Sequence, residues 1–174
     1  MFDYKNFHEL EQATVAFGQG ISVTPLQLVT AISACVNGGY LLQPHILKEV
    51  RNNNNEIIYQ AKRKVKRQVI KEETSKKVRD ALESVVTDGG GRNAYIDGYR
   101  IGGKTGTAQK AVNGSYVGGG YILSFVGIAP IDDPQIVLYI AMDNPKNCIQ
   151  YGGTTVAPIA RKMLLDILPA LNVK

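Results

Sequence analysis

Cysteine is scarce in this chain, and two features that define other large classes of protein are missing. Only two cysteines, Cys35 and Cys148, occur among the 174 residues, too few for a disulfide framework. No stretch has the roughly 20 apolar residues of a membrane span, and the N-terminal MFDYK has no signal-peptide pattern. The length and the 44% apolar content fit one domain, or a piece of a larger one, with a packed core.

Charged side chains are absent from the segment between Gln12 and Leu47. This absence predicts a buried turn followed by a buried helix. Thr24 with Gln27 forms a capping-box pattern, so the helix should run over 25–36 and end before the two glycines at 38 and 39. Apolar residues surround this helix, which predicts a core helix, with Cys35 as a small buried thiol.

The net charge of +5 fits an anionic partner such as nucleic acid, cell-wall polymer or a membrane surface. Much of it comes from one basic run without an interleaved aromatic platform for stacking bases, formed by Lys62, Arg63, Lys64, Lys66 and Arg67. We therefore predict a solvated strand or linker here, and no nucleic-acid interface.

The rest of the chain alternates strand-like and helix-like patterns. Strands are predicted over 46–51, 56–60, 99–109, 121–129 and 135–142, and helices over 71–86 and 155–171. Short connectors make the first two strands one hairpin and the last two strands another. The predicted fold class is α+β, with helices packed on an antiparallel sheet.

The segment Gly98–Thr105 (GYRIGGKT) matches the phosphate-loop pattern G-x-x-x-x-G-K-[ST], and the run Ile136–Asp143 resembles its usual acidic partner strand. A phosphate loop needs a buried strand before its first glycine and a helix that begins at its lysine. The polar segment 92–97 is a poor central strand, and Gly106 follows Thr105 directly. Nucleotide binding nevertheless stays open as an alternative function.

In the competing interpretation, the residues around Lys104 form an edge strand that borders a cleft. The two-residue period places the Thr105 and Thr107 hydroxyls on one face and Lys104 on the other. Gly106 lets a substrate backbone approach, and a free strand edge can pair with an extended peptide. Such a strand suits a peptide with a carboxylate. A non-catalytic peptide-binding module is therefore a further alternative.

Lys104–Thr107 (KTGT) also resembles the third motif of the penicillin-recognising serine enzymes. The flanking order resembles class B penicillin-binding proteins over nearly the whole chain, with AFGQGISVTPLQL at 16–28, GGKTGTAQ at 102–109, SFVGIAP at 124–130 and YGG at 151–153. The cell-elongation and spore-cortex branches are the most similar. The fold that this implies is part of a β-lactamase/transpeptidase-like fold.

The resemblance implies DD-transpeptidation of peptidoglycan stem peptides by a serine that β-lactam antibiotics also acylate. By analogy, Lys104 and Thr107 are catalytic: Lys104 organises the hydroxyl network, and the Thr107 N–H donates in the oxyanion hole. Thr105, Gly106 and Thr107 bind the substrate. The other expected partners are cell-wall synthesis proteins, and the expected location is the extracytoplasmic face of the membrane.

The family also requires S-x-x-K and S-x-N, which this chain lacks. None of its six serines has Lys three residues later or Asn two residues later. We therefore expect residues 1–174 to be the C-terminal portion of a transpeptidase domain, unable to form an acyl-enzyme alone. Apolar surface exposed on the charge-free helix should favour dimerisation.

We predict neither a cofactor nor a metal site. His8 and His45 have no metal-ligand spacing with each other or with either cysteine. Asp132, Asp133 and Asp143 lie near prolines, which indicates solvated turns and not a catalytic carboxylate pair.

Overall fold

The structure, a computed structural model, describes residues 8–16, 18–110 and 120–173. Its helices are α1 (Glu9–Ala16), α2 (Pro25–Val36), α3 (Glu72–Thr87), α4 (Gly152–Thr155) and α5 (Ala157–Ala170), with a 3-10 turn at Arg92–Ala94. Its strands are β1 (Tyr40–Leu42), β2 (Glu49–Arg51), β3 (Ile57–Gln60), β4 (Val65–Gln68), β5 (Gly102–Gln109), β6 (Tyr121–Ala129) and β7 (Ile136–Asp143). The predicted mixture of helices and antiparallel strands is confirmed.

The central sheet has three antiparallel strands in the order β5-β6-β7. Gly102 pairs with Ile128 and Gln109 with Tyr121, without a register shift between them. The predicted hairpin of the last two strands is confirmed, since Ile122 pairs with Asp143. Strand β5 begins three residues later than the sequence predicted, because Tyr99 still belongs to a turn, in which its N–H donates to the Ile96 carbonyl and Gly98 has a positive φ of 80°.

The two faces of the sheet contact different helices, because successive side chains of a strand point to opposite faces. On one face, Leu123 and Phe125 pack with α5 through the fully buried Ala160, Leu164 and Leu168. On the other face, Val126 and Ile128 pack with Val36 of α2 and Leu82 of α3. The sheet is therefore enclosed between helices on both sides.

Strands β1 to β4 form one interrupted antiparallel ribbon. β1 pairs with β4 and β2 with β3, and the hydrogen bonds Gln43 N to Lys64 O and Ala61 N to Lys48 O extend the two pairings toward each other. No residue of 40–69 is buried. The ribbon carries seven Lys or Arg and two Glu, so its net charge of +5 equals the net charge of the whole chain. The predicted hairpin is confirmed, and the basic run spans the exposed connector before β4 and β4 itself.

Helix α2 has the predicted bounds and the predicted cap. Gln27 N donates to the Thr24 hydroxyl at 3.2 Å, and Thr24 N donates to the Gln27 side chain at 2.9 Å. The prediction of a core helix was wrong for its first half, because Leu26 is 61% exposed and only Ala34 and Val36 are buried. The described neighbours of α2, which include α3, β1, β6 and β7, cover only part of its apolar circumference.

The turn before α2 was also predicted to be buried, and it is not. Residues 20–24 are exposed, and Phe17 lies outside the described residues. Helix α1 was not predicted, because its short sequence ELEQATVA has no strong apolar period. Among the described helices, none is both long and apolar enough to cross a membrane.

Candidate functional site

Lys104, Thr105, Gly106 and Thr107 lie in the middle of β5, which is an edge strand as predicted. Lys104 is exposed, and the other three are partly buried. Strand β5 pairs with β6 on one side, and no described strand pairs with its other side. The other side of this segment is therefore an open edge in the described part of the chain.

The hydrogen-bond phase of the sheet shows which residues present their main-chain groups to this open edge. Just beyond the strand, Lys110 N donates to the oxygen of Gly120, the residue directly opposite in the register. Opposite residues that bond in this way alternate with residues that do not. Lys104 and Gly106 therefore bond to β6, whereas Thr105 and Thr107 direct their N–H and C=O groups to the open edge.

The side chain of Lys104 reaches the same edge. Its Nζ donates a hydrogen bond of 2.6 Å to the carbonyl oxygen of Thr105. This contact agrees with the alternation of hydrogen-bonded residues between β5 and β6, because the Thr105 carbonyl has no partner on β6. One ammonium group and the main chain of two threonines thus meet at the open edge.

Helix α4 supports Thr107 from the face of the sheet. The main-chain N–H of Gly152 donates to the Thr107 hydroxyl oxygen at 3.2 Å. A side chain at position 152 would collide with the main-chain oxygens of Gly106 and Ser124, so only glycine permits this close approach. The contact brings the YGG segment at 151–153, one of the segments that carry the family resemblance, next to the KTGT strand.

Gly106 also has a structural reason to lack a side chain. A Cβ at this position would collide with the hydroxyl oxygen of Ser124 on β6. The sequence interpretation assigned Gly106 to substrate approach only, because the register that brings Ser124 opposite it was not known. A side chain at position 106 would therefore require the Ser124 hydroxyl to rotate away.

The phosphate-loop hypothesis for Gly98–Thr105 was wrong. No helix begins at Lys104, since β5 continues as a strand to Gln109. The segment before Gly98 is a 3-10 turn followed by irregular chain, and it holds no strand. Asp143, at the end of the run Ile136–Asp143, forms an ion pair of 2.7 Å with Lys110.

A separate concavity of about 370 Å³ lies at the start of β5, and its lining includes Glu83, Tyr95 and Tyr99. Arg100 also lines it and donates two hydrogen bonds to the Glu83 carboxylate, of 2.8 and 2.7 Å. These bonds raise the pKa of Arg100 above its usual value. The ion pair joins α3 to the segment just before β5, and none of Lys104–Thr107 lines this concavity.

The comparison with family models decides the family. The model described as "Penicillin binding protein transpeptidase domain" matches residues 3–165. The chain belongs to the penicillin-binding-protein transpeptidase domain family. The expectation drawn from KTGT and its flanking segments is confirmed at the level of the family.

Two individual proteins align with most or all of the chain. The chain is 53% identical over its full length to "Stage V sporulation protein D" of Bacillus subtilis, of which it covers 27%. It is 36% identical to "Peptidoglycan D,D-transpeptidase FtsI homolog" of Mesostigma viride, with 92% of the chain and 29% of that protein aligned. The chain thus spans less than a third of the length of these two relatives.

Solved structures also match this transpeptidase-domain chain. The transpeptidase domain of penicillin-binding protein 3 from Burkholderia pseudomallei aligns with 99% of the chain and 50% of that structure's chain, at a TM-score of 0.84 and 37% identity. The D,D-transpeptidase domain of a peptidoglycan glycosyltransferase from Eggerthella lenta aligns with 87% of the chain and 33% of its own, at a TM-score of 0.72 and 30% identity. Neither comparison supports a nucleotide-binding protein or an isolated peptide-binding module.

Proposed function

We propose that β5 of this transpeptidase-domain chain binds the D-Ala-D-Ala end of a peptidoglycan stem peptide. The observation that carries the proposal is the open edge, where the main chains of Thr105 and Thr107 lack partners on β6 and the Lys104 ammonium lies beside them. An extended peptide can add to such an edge as a further strand. The cation provides a partner for the peptide's terminal carboxylate.

We propose the roles of the four residues by analogy with the family, and their placement on β5 supports the proposal. Thr105 and Thr107 bind the carboxylate of a substrate or β-lactam, and Gly106 keeps the strand open to the peptide backbone. The N–H of Thr107 points to the open edge and donates to the oxyanion formed during acyl transfer, a type of contact worth about 3 to 4 kcal/mol. Lys104 stabilises the hydroxyl network of the nucleophile electrostatically.

The complete reaction requires residues that the chain lacks. A serine attacks the D-Ala-D-Ala bond, the terminal D-Ala leaves, and an amine from a neighbouring peptide then displaces the enzyme from the acyl group. S-x-x-K and S-x-N are absent from residues 1–174. We infer that residues 1–174 are the C-terminal portion of a transpeptidase domain and provide substrate binding without the nucleophile.

The proposed biological setting is the synthesis of cell wall on the extracytoplasmic face of the membrane, in contact with other cell-wall synthesis proteins. Within the family, we propose a role in sporulation. The support is the 53% identity to the stage V sporulation protein, against 36% to the FtsI homolog. β-Lactam antibiotics are the expected inhibitors of the complete protein.

A labelled penicillin tests the division of roles. Incubated with the chain alone, it should give no covalent product, and stoichiometric labelling would contradict the proposal. A chimera should then replace the matching 175 residues of the Bacillus subtilis sporulation protein with this chain. We expect this chimera to be acylated and to support sporulation, and we expect Thr107→Val in the chimera to slow acylation.

A further inference from the structure

Helix α4, which supports Thr107, is itself held by a second hydrogen bond. The Asn93 side-chain amide Nδ2 donates to the carbonyl oxygen of Gly153 at 2.9 Å. Asn93 is the central residue of the 3-10 turn, 14 residues before Thr107 in sequence. The two residues are therefore connected through Gly152 and Gly153.

The 3-10 turn is a firm anchor for this connection. Ala94 is fully buried in the core between the sheet and α5. Arg161 of α5 donates from Nε to the carbonyl oxygen of Tyr95, directly after the turn, at 2.8 Å. The position of Asn93 is therefore fixed by the core and by α5, independently of the open edge.

The two glycines leave little freedom for α4 between its contacts. A side chain at Gly153 would collide with the oxygen of Gly90, and one at Gly152 with the oxygen of Gly106. Main chain thus packs on main chain on both sides of the helix start. A shift that broke the Asn93 contact would change where the Gly152 N–H points.

A threonine hydroxyl has one hydrogen to donate and two lone pairs that accept. Because Gly152 N–H occupies one lone pair of Thr107, the hydroxyl hydrogen is directed away from α4 and is available for a ligand. We infer that Asn93 is a positioning residue: by holding Gly153, it fixes the Gly152 N–H that orients the Thr107 hydroxyl as a donor to the substrate carboxylate. The inference rests on the proposed function for its ligand, and on the Asn93–Gly153 and Gly152–Thr107 hydrogen bonds for the connection itself.

The test uses the full 174-residue chain and two readouts. The first is the ¹⁵N–¹H signal and the hydrogen exchange of Gly152. The second is the affinity for diacetyl-L-Lys-D-Ala-D-Ala. Asn93→Asp keeps the shape of the side chain and removes the donor, and Asn93→Ala removes both. Arg92→Ala, in the same turn, is the matched control.

We expect Asn93→Asp and Asn93→Ala to shift the Gly152 signal, to speed its exchange and to weaken peptide binding about three- to fivefold, the cost of one modest hydrogen bond. Arg92→Ala should change neither readout. Asn93→Gln, which retains an amide donor, should recover part of the affinity, and it replaces Asn93→Asp if that variant does not fold. Thr107→Ser retains the acceptor oxygen and should keep the Gly152 signal near its original position. Thr107→Val removes that oxygen and should shift the signal.

The outcomes separate this inference from the proposed function. Wild-type peptide affinity in Asn93→Asp, with an unchanged Gly152 signal, would overturn the inference. Absence of peptide binding by the unmodified chain would instead refute the proposed function. In that case, a shift of the Gly152 amide signal in Asn93→Asp would still support the hydrogen-bonded connection from Asn93 to Thr107. The connection would then have no role in peptide binding.

Discussion

The Nζ of Lys104 donates a hydrogen bond to the carbonyl oxygen of Thr105, the next residue of the same strand, at 2.6 Å. This carbonyl is one of the main-chain groups that β5 directs to its open edge. A peptide that pairs with the edge must therefore compete with the lysine for Thr105, or accept from the lysine itself. In both cases the Lys104 ammonium lies next to the bound peptide.

Removal of this charge should weaken the binding of a carboxylate. We expect Lys104→Met to reduce the affinity for a D-Ala-D-Ala peptide about tenfold and to reduce its dependence on salt, because a charge-assisted hydrogen bond and long-range attraction are both lost. Isothermal titration at two ionic strengths measures both effects. Lys66→Met, on the exposed β4, changes the net charge equally and should leave the affinity within twofold; an equal loss in the two variants would contradict the assignment.

The close packing of α4 on β5 should make Gly152 intolerant of substitution. Gly152→Ala places a methyl group against two main-chain oxygens that cannot move independently, and we expect a loss of roughly 1 to 3 kcal/mol in the free energy of unfolding. Gly127→Ala on β6 is the matched control, since its new methyl would lie 3.4 Å from its nearest neighbours. Urea denaturation should show a clear difference, and equal midpoints would contradict the described packing.

The apolar surface of α2 and the preceding turn should promote self-association. Leu26 is 61% exposed, and Val23 and Ile21 beside it are 53% and 48% exposed. We expect the chain to dimerise at high concentration and Leu26→Ser to shift the equilibrium toward monomer, because less apolar surface is then covered on association. Sedimentation equilibrium measures this shift. Ile159→Ser, at an exposed position of α5, should have a smaller effect.

The ion pair of Arg100 and Glu83 should contribute to the attachment of α3 to the segment that leads into β5. Arg100→Lys retains the charge and loses the two-pronged geometry, so we expect a lower melting temperature with unchanged peptide affinity. The decrease should be smaller than for Gly152→Ala, because Arg100 is exposed. Reduced affinity without reduced stability would instead link this ion pair to the binding edge.

Local chemistry made much of the fold predictable. The helix α2 was bounded correctly because Thr24, Gln27 and the glycines after Val36 specify its ends within a few residues. Strand β6 was bounded correctly, since its apolar run is flanked by glycine and proline. Elements whose existence depends on distant packing, such as α4 and the pairing of β1 with β4, have no comparable local signal.

The candidate site was only partly predictable for the same reason. Lys104–Thr107 could be recognised because its residues are contiguous and their types indicate a strand that binds an anion. Asn93 is separated from Gly153 by 60 residues, and the contact between them depends on how α5 packs on the sheet. Which part of α2 is exposed could not be predicted either, because an apolar helix sequence does not specify which neighbours will cover it.

The most direct test of the account is an NMR titration of the ¹⁵N-labelled chain with diacetyl-L-Lys-D-Ala-D-Ala, compared with the same peptide ending in L-Ala-L-Ala. The account predicts that the D-Ala peptide perturbs the amide signals of Thr105, Gly106 and Thr107 most strongly, and that the L-Ala peptide perturbs them much less. Unchanged signals at these three residues at saturating peptide, or shifts confined to the basic ribbon of β1 to β4, would contradict it.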